Sequence, residues 1–320
     1  MTWLTWRQYR IEALIGLLVL VGLCIVFVID GFATHATYQS MGLASCAAHP
    51  CDYQIGYAFE ARTRGLASII ANFFQPWLYL IIGVFIGAPL LAREREQRTH
   101  YLVWTQSITR SRWLAIRLGL IATALLLAFV LLTTITTWWG EPLSTVEGPW
   151  LQYAIRGPVF PASIVFALLV GVAVGAFVRR TVPAMALTFV LLFAFFVLLG
   201  GMHLYLIPPL SKVSSIQPGR NEDGNWGRPG DISLYAGYAD QAGNETGEIS
   251  KYCGFNRTLA DPDYAALANK CIREHNLQWK LVYQPPARFW PLQWVESSVL
   301  LLLALLLIPL IFWQLKKRIQ

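Results

Sequence analysis

The sequence predicts an all-α polytopic membrane protein with six transmembrane helices, and three observations carry that prediction. Hydrophobic residues fill 56% of the 320 positions and charged residues only 13%, an apolar load that a soluble domain of this size would expose in large patches. Six stretches, 14–29, 66–91, 114–138, 161–178, 182–199 and 295–313, suit a crossing of roughly 30 Å of hydrocarbon, which takes about 20 helical residues. Basic residues also alternate between the two sides. With both termini cytoplasmic, 13 of the 25 Lys and Arg but only three of the 18 acids fall on the cytoplasmic side. The net charge of +7 is then a topology signal and argues against nucleic-acid binding. The expected location is the cell membrane, multi-pass, with both termini inside.

Residues 1–12 read as an N-terminal interfacial helix, because Trp3, Trp6 and Tyr9 are aromatic anchors beside Arg7 and Arg10. The apolar run that follows is too long for a secretory signal and lacks a clean small-x-small cleavage site, so the N-terminus is expected to stay attached. In the second span, Pro76 removes a helix hydrogen bond beside Asn72 and Gln75, which predicts a bend or local opening. Between the second and third spans, residues 91–117 pack eight charges into 27 positions, with Tyr101, Leu102, Val103 and Trp104 among them. That segment is a mixed polar and aromatic handle at the cytoplasmic face. The fourth and fifth spans are joined by little more than Arg179, Arg180 and Thr181, a tight hairpin with Pro183 near a helix start. Gly171 and Gly175 form a G-x-x-x-G helix-packing pattern that serves contacts within a chain or between copies.

The chain divides into residues 1–199, holding five spans with the interfacial and handle segments; 200–293, a small extracellular α+β subdomain; and 294–320, the last span and a basic tail. In the subdomain, 217–230 is rich in Gly, Asn, Asp and Pro and reads as loop. Asp261, Pro262 and Asp263 then supply an N-cap, a first-turn proline and an early acid for a helix presenting Tyr264, Leu267, Ala268 and Cys271. Leu277, Trp279, Leu281 and Tyr283 alternate as in a half-buried strand. Four cysteines fall in outer segments, which fits an oxidising compartment. Three pairings are possible; the local pairs Cys46–Cys51 and Cys253–Cys271 are favoured because each loop is tethered separately by spans. No cysteine and histidine spacing suits a metal, so no metal site is expected.

The sequence holds no phosphate-binding G-x-x-x-x-G-K-[ST] loop and no dinucleotide fingerprint, so it is expected to bind no cofactor of its own. A nucleophile elbow, a metalloprotease helix and paired core carboxylates are also missing, which argues that the chain is not an enzyme by itself. The spans carry no ionisable residue near their middles, which disfavours proton-coupled transport.

The handle carries a family resemblance. The string Arg93, Glu94, Glu96, Thr99, His100, Leu102, Trp104, Thr105, Gln106, Ser107, Thr109, Arg110, Arg112 and Trp113 resembles the loop after the second span in permeases of type-two ABC exporters, especially those of actinobacterial-like Gram-positive bacteria. Trp3 to Gln8, Gln284, Pro285, Arg288 to Trp290, Gln293, Trp294 and Glu296 are similar to the same group. The string departs at Arg98, where family members often carry glycine. The resemblance implies a permease working as a homodimer or heterodimer, with separate ATP-binding cassette subunits supplying ATP and Mg chemistry. The handle would then be a coupling helix, with Arg93, Glu94, Glu96, Arg98, Thr99, Trp104 and Gln106 forming the ATPase docking surface. Glu94 and Arg98 stand at i and i+4 in the favourable order, and Trp104 suits a partner groove.

Two functions follow as expectations. In the first, the permease moves a hydrophobic or amphipathic substrate outward by alternating access, along a path including Phe73, Phe74 and Gln75 beside Pro76, and Phe193 and Phe196. In the second, a non-transporting sensor or immunity protein binds a ligand through its extracellular subdomain and signals to a cytoplasmic partner. The aromatic group Phe189, Phe193, Phe195 and Phe196 equally suits lipid contact or packing, and Glu296 reads as a satisfied interfacial acid.

Overall fold

The fold is that of a computed structural model, which describes residues 2–44, 53–74, 77–96, 110–178, 180–214, 230–255 and 263–317. The long helices are α1 (Thr2–Ser40), α6 (Arg110–Trp139), α8 (Val159–Phe177), α9 (Thr181–Met202) and α12 (Phe289–Lys317). Each contains a segment long and apolar enough to cross a membrane. The interfacial helix expected over residues 1–12 is instead the beginning of α1, which runs unbroken from Thr2. No proline or glycine interrupts the chain before Gly16, so nothing in the local sequence ends the first turns.

The second apolar stretch takes a different form. It begins after α2 (Tyr53–Thr63) as α3 (Leu66–Ile69), widens into a π turn over Ile70–Phe74, and resumes as α4 (Leu78–Ile81). A second π segment, Ile82–Gly87, leads into α5 (Ala88–Glu96). Pro89 has no N–H to donate to the carbonyl four residues back, and a shifted hydrogen-bond ladder just before it accommodates that loss. The expected bend residues Gln75 and Pro76 lie outside the described residues.

Helix α8 is the centre of the molecule. Buried residues fill 89% of its apolar window, against 6% for α1 and 17% for α9, so the latter two present most of their surface outward. Around it pack α12, α6, α9, α5 and the second π segment. Ile164, Ala167, Leu168 and Val172 are completely buried there. The tightest approach uses glycine on both sides. Gly171 and Gly175 of α8 face Gly83, Gly87 and Ala88. A Cβ on Gly171 would stand 2.2 Å from the Gly83 carbonyl oxygen, and one on Gly175 would stand 2.4 Å from that of Ala88. The G-x-x-x-G pattern is therefore spent inside the chain, matched by a second one at Gly83 and Gly87.

At the far ends of α9 and α12 sits a three-stranded antiparallel sheet, order β1 (Leu210–Ser214), β3 (Gln278–Gln284), β2 (Ile232–Ala239). The alternation seen from Leu277 to Tyr283 becomes β3, with Trp279 and Leu281 each 5% exposed. The expected helix appears as α11 (Tyr264–Glu274), following the short α10 (Ile249–Tyr252). Asp263 occupies its cap position, while Asp261 and Pro262 fall outside the described residues. Cys253 and Cys271 form the disulfide that ties α11 to the segment before it. Cys46 and Cys51 lie outside the described residues.

The glycine contact gives a direct test of packing. Gly171→Ala should lower stability by about 1–3 kcal/mol through forced overpacking, read as the thermal midpoint of the purified protein in detergent. Gly119→Ala, where nothing lies within 4 Å of the added carbon, should leave the midpoint unchanged or raised.

Candidate coupling site

The handle's two roots are helical. Helix α5 carries buried Leu90, Leu91 and Ala92 against the core and brings Arg93, Glu94 and Glu96 to its last turn. Helix α6 returns the chain from Arg110. Arg93 and Glu96 are exposed and Glu94 is half-buried. Arg98, Thr99, Trp104 and Gln106 lie outside the described residues.

Between the roots lies an ion pair that the sequence concealed. Arg117, counted above among the handle's surface charges, has a side chain only 6% exposed and donates from Nη1 to Glu94 Oε1. Its guanidinium also lies 5.1 Å from the centre of the Trp113 ring. Glu94 therefore meets Arg117 across two helices. The physical reason is the start of α6 at Arg110: by Arg117 the helix has made about two turns, and the position lies on the same inward face as buried Leu114 and Leu118.

Glu96 likewise has an internal partner. Its Oε2 accepts from the backbone N–H of Thr181 at 2.9 Å, at the first residue of α9. A carboxylate there satisfies an unpaired helix N–H and meets the positive end of the helix dipole. Hydrogen bonding from Thr181, with Arg180 nearby, holds the Glu96 carboxyl below its usual range. Thus α5 is fastened at its end to both α6 and α9.

The residues expected along a substrate path are less unified. Phe73 and Phe74 lie in the first π turn, and Gln75 is outside the described residues. Phe193 is 44% exposed and stacks on Phe189, with ring centres 5.8 Å apart. Phe196 turns inward, meeting Tyr79 at 3.8 Å and Phe166 at 6.4 Å. The two phenylalanines occupy different environments, one on the outer face of α9 and one in the seam between α9, α8 and α4.

At the opposite, sheet-bearing end several buried polar residues satisfy one another. Tyr153 donates to Glu296 Oε2 at 2.8 Å, and Glu296 is 4% exposed, the satisfied acid that the sequence reading anticipated. Gln293, fully buried, donates to the Tyr153 carbonyl at 2.7 Å and accepts from the Val159 N–H at 3.2 Å. Gln284 of β3 donates to the Leu204 and Ile207 carbonyls, and Trp150 donates to the Gly230 carbonyl at 2.9 Å, so the sheet is fixed to the helix ends. Beside α2, at the end of α7 (Glu141–Glu147), burial pushes the Glu147 carboxyl up to about 7; Glu60 adds to the shift and Arg64 opposes it.

Long apolar helices around a buried central helix, with charged roots fastened at one end, describe a multi-pass membrane protein whose charged segment is tied to two of its long helices. The chain belongs to the ABC-2 membrane transporter related family, which it matches over residues 17–202. Membership makes it a permease of the type that works with an ATP-binding subunit in general. No curated protein and no solved structure shows significant similarity to the chain.

Two measurements probe these sites. Glu94→Gln should destabilise the fold by about 2–4 kcal/mol by stranding a buried guanidinium, short of the fully buried extreme because the Glu94 side chain is 25% exposed. Replacing both partners by leucine should restore most of the loss, and thermal unfolding of the single and double variants reads the difference. For Glu147, the folded state holds the proton more tightly than the unfolded chain does. Its contribution is thus complete below the ordinary carboxylate range and is lost as pH rises through about 7. Stability should fall by about 1–3 kcal/mol between pH 5 and pH 8, and Glu147→Gln should flatten that dependence.

Proposed function

We propose that this chain is the membrane-spanning permease subunit of an ABC exporter. It moves a hydrophobic or amphipathic substrate outward by alternating access and has no enzymatic activity of its own. ATP and Mg are bound by a separate cassette subunit, which docks on the handle over Arg93–Gln106, and a second permease copy completes the assembly. The interrupted stretch 66–91 is the second of six spans. Both termini lie on the cytoplasmic side of a cell membrane, and the three-stranded sheet and the Cys253–Cys271 disulfide lie outside, in keeping with the basic residues clustered at the handle end.

The observation that carries this reading is the double fastening of α5. A partner that displaces the handle pulls on Glu94, and through Arg117 on α6, while Glu96 passes the same displacement to the first turn of α9. The load thereby reaches two long apolar helices that both pack on buried α8. Rigid elements joined by charged contacts transmit a push, whereas a solvated loop absorbs it. The inward Phe196 beside Tyr79 lies where α9 and α4 would part, and it is the better of the two expected path residues on α9.

Docking is tested with the tagged full-length chain and the ATP-binding cassette subunit that co-purifies with it. Trp104→Ala combined with Arg93→Glu should weaken retention of the ATPase by about 10- to 100-fold, the consequence of losing an aromatic anchor and reversing a rim charge. Arg93 is exposed and is a partner in neither of the fastening contacts of Glu94 and Glu96. Undiminished retention and normal movement of labelled cargo into proteoliposomes would exclude the handle as the docking surface. Ligand binding without any cargo movement would favour the sensor.

A further inference from the structure

A cavity of about 700 Å³ opens at the sheet-bearing end between α6, the start of α8 and the start of α12. Val130, Thr133, Thr137 and Pro161 line one part of it, and Trp138 and Trp290 another. Arg156 also lines the cavity, which makes its chemistry unusual. The Nε and Nη1 atoms of Arg156 are buried without a hydrogen-bond acceptor among the described residues, and its guanidinium lies 5.7 Å from the centre of the Phe289 ring. Arg156 forms no ion pair among the described residues; the exposed Glu141 at the cavity wall acts on it only at longer range. A partly buried cation lacking a close counter-charge is costly.

We propose that this cavity binds the phosphodiester headgroup of a membrane phospholipid, with the phosphate on Arg156 and an acyl chain along α6. The position favours a lipid over a soluble anion. Val130, on the cavity wall, is 45% exposed on the apolar surface of α6, so the polar end of the cavity continues directly into a lipid-facing surface. Trp138 is half-buried, stacked on His35, and Trp290 is 45% exposed; tryptophans at the ends of apolar helices mark the headgroup level. Arginine is suited to the task because its planar, always charged group donates several hydrogen bonds to phosphate oxygens. Glu141 lines the same cavity and suits a headgroup that also carries an ammonium, such as phosphoethanolamine.

The test is photolabelling of the purified full-length protein in nanodiscs with a phosphatidylethanolamine bearing a diazirine in its acyl chain, mapped by mass spectrometry. Labelling of 130–138 and 158–161, normalised to the outward face of α1, should exceed that by a diazirine diacylglycerol, which lacks phosphate. Arg156→Gln should reduce this excess by about tenfold, as expected for losing one charge-assisted contact, and Arg156→Lys should keep much of it. Thr134→Trp, which narrows the cavity from its exposed rim and leaves Arg156 in place, should also suppress it. Equal labelling by the two probes, or an excess indifferent to Arg156→Gln in a protein with an unchanged thermal midpoint, would overturn the proposal. So would loss of the excess in millimolar inorganic phosphate, which would assign the cavity to a soluble anion. The readout needs neither ATPase nor transport, so it stands or falls separately from the permease reading.

Discussion

Backbone contact between α8 and the segment Gly83–Ala92 is the constraint on which the rest of the arrangement depends. Membrane helices gain little from apolar burial against one another, because lipid is as apolar as leucine, so association relies on close fit. Here the fit is made by removing side chains. Gly171 and Gly175 lie over Gly83, Gly87 and Ala88, with no room for a Cβ at Gly171 or Gly175. That contact sets where α5 ends, and α5 in turn carries Glu94 to Arg117 and Glu96 to Thr181. A shift of the glycine seam would misplace every polar contact at the handle's root.

The same seam accounts for the irregular form of the second apolar stretch. A π turn rotates the residues beyond it relative to a regular helix, and two such turns occur within residues 66–96. The one at Ile82–Gly87 faces α8 directly and contains both glycines of the contact. The helix yields where its neighbour presses closest. For a permease this combination is useful: a buried, regular central helix, α8, against an element whose hydrogen-bond ladder already departs from the α pattern. The sheet-bearing end is held differently, by side-chain amides and a tyrosine–carboxylate contact, so the two ends are anchored by separate chemistries.

Much of the fold was legible in the sequence because transmembrane helices announce themselves by length and apolarity alone. The five long helices, the hairpin at Arg180 and Thr181, the strand alternation through Trp279 and the disulfide partners Cys253 and Cys271 all follow from local patterns. Strands β1 and β2 were not anticipated. β1 has only five residues and the eight of β2 lack a clear alternation, and each exists because β3 supplies its hydrogen-bonding partner. The separate interfacial helix was inferred from aromatic and basic anchors, yet those residues say where a helix sits and nothing of whether it stops.

Of the candidate site, the sequence by itself determined which segment is charged, where it enters and leaves the apolar helices, and that no nucleotide motif accompanies it. Those properties depend on residue type and order, which composition and periodicity expose. Tertiary structure alone decided which charges face the surface. Arg117 looks identical to Arg112 in sequence, but helical phase and the approach of α5 bury it against Glu94. Glu96 became a cap for α9, 85 residues distant, and Arg156 became the cation of a cavity shared by three helices. Such roles belong to pairs of residues far apart in the chain. Their energies arise from burial and proximity, and neither exists until the helices have packed.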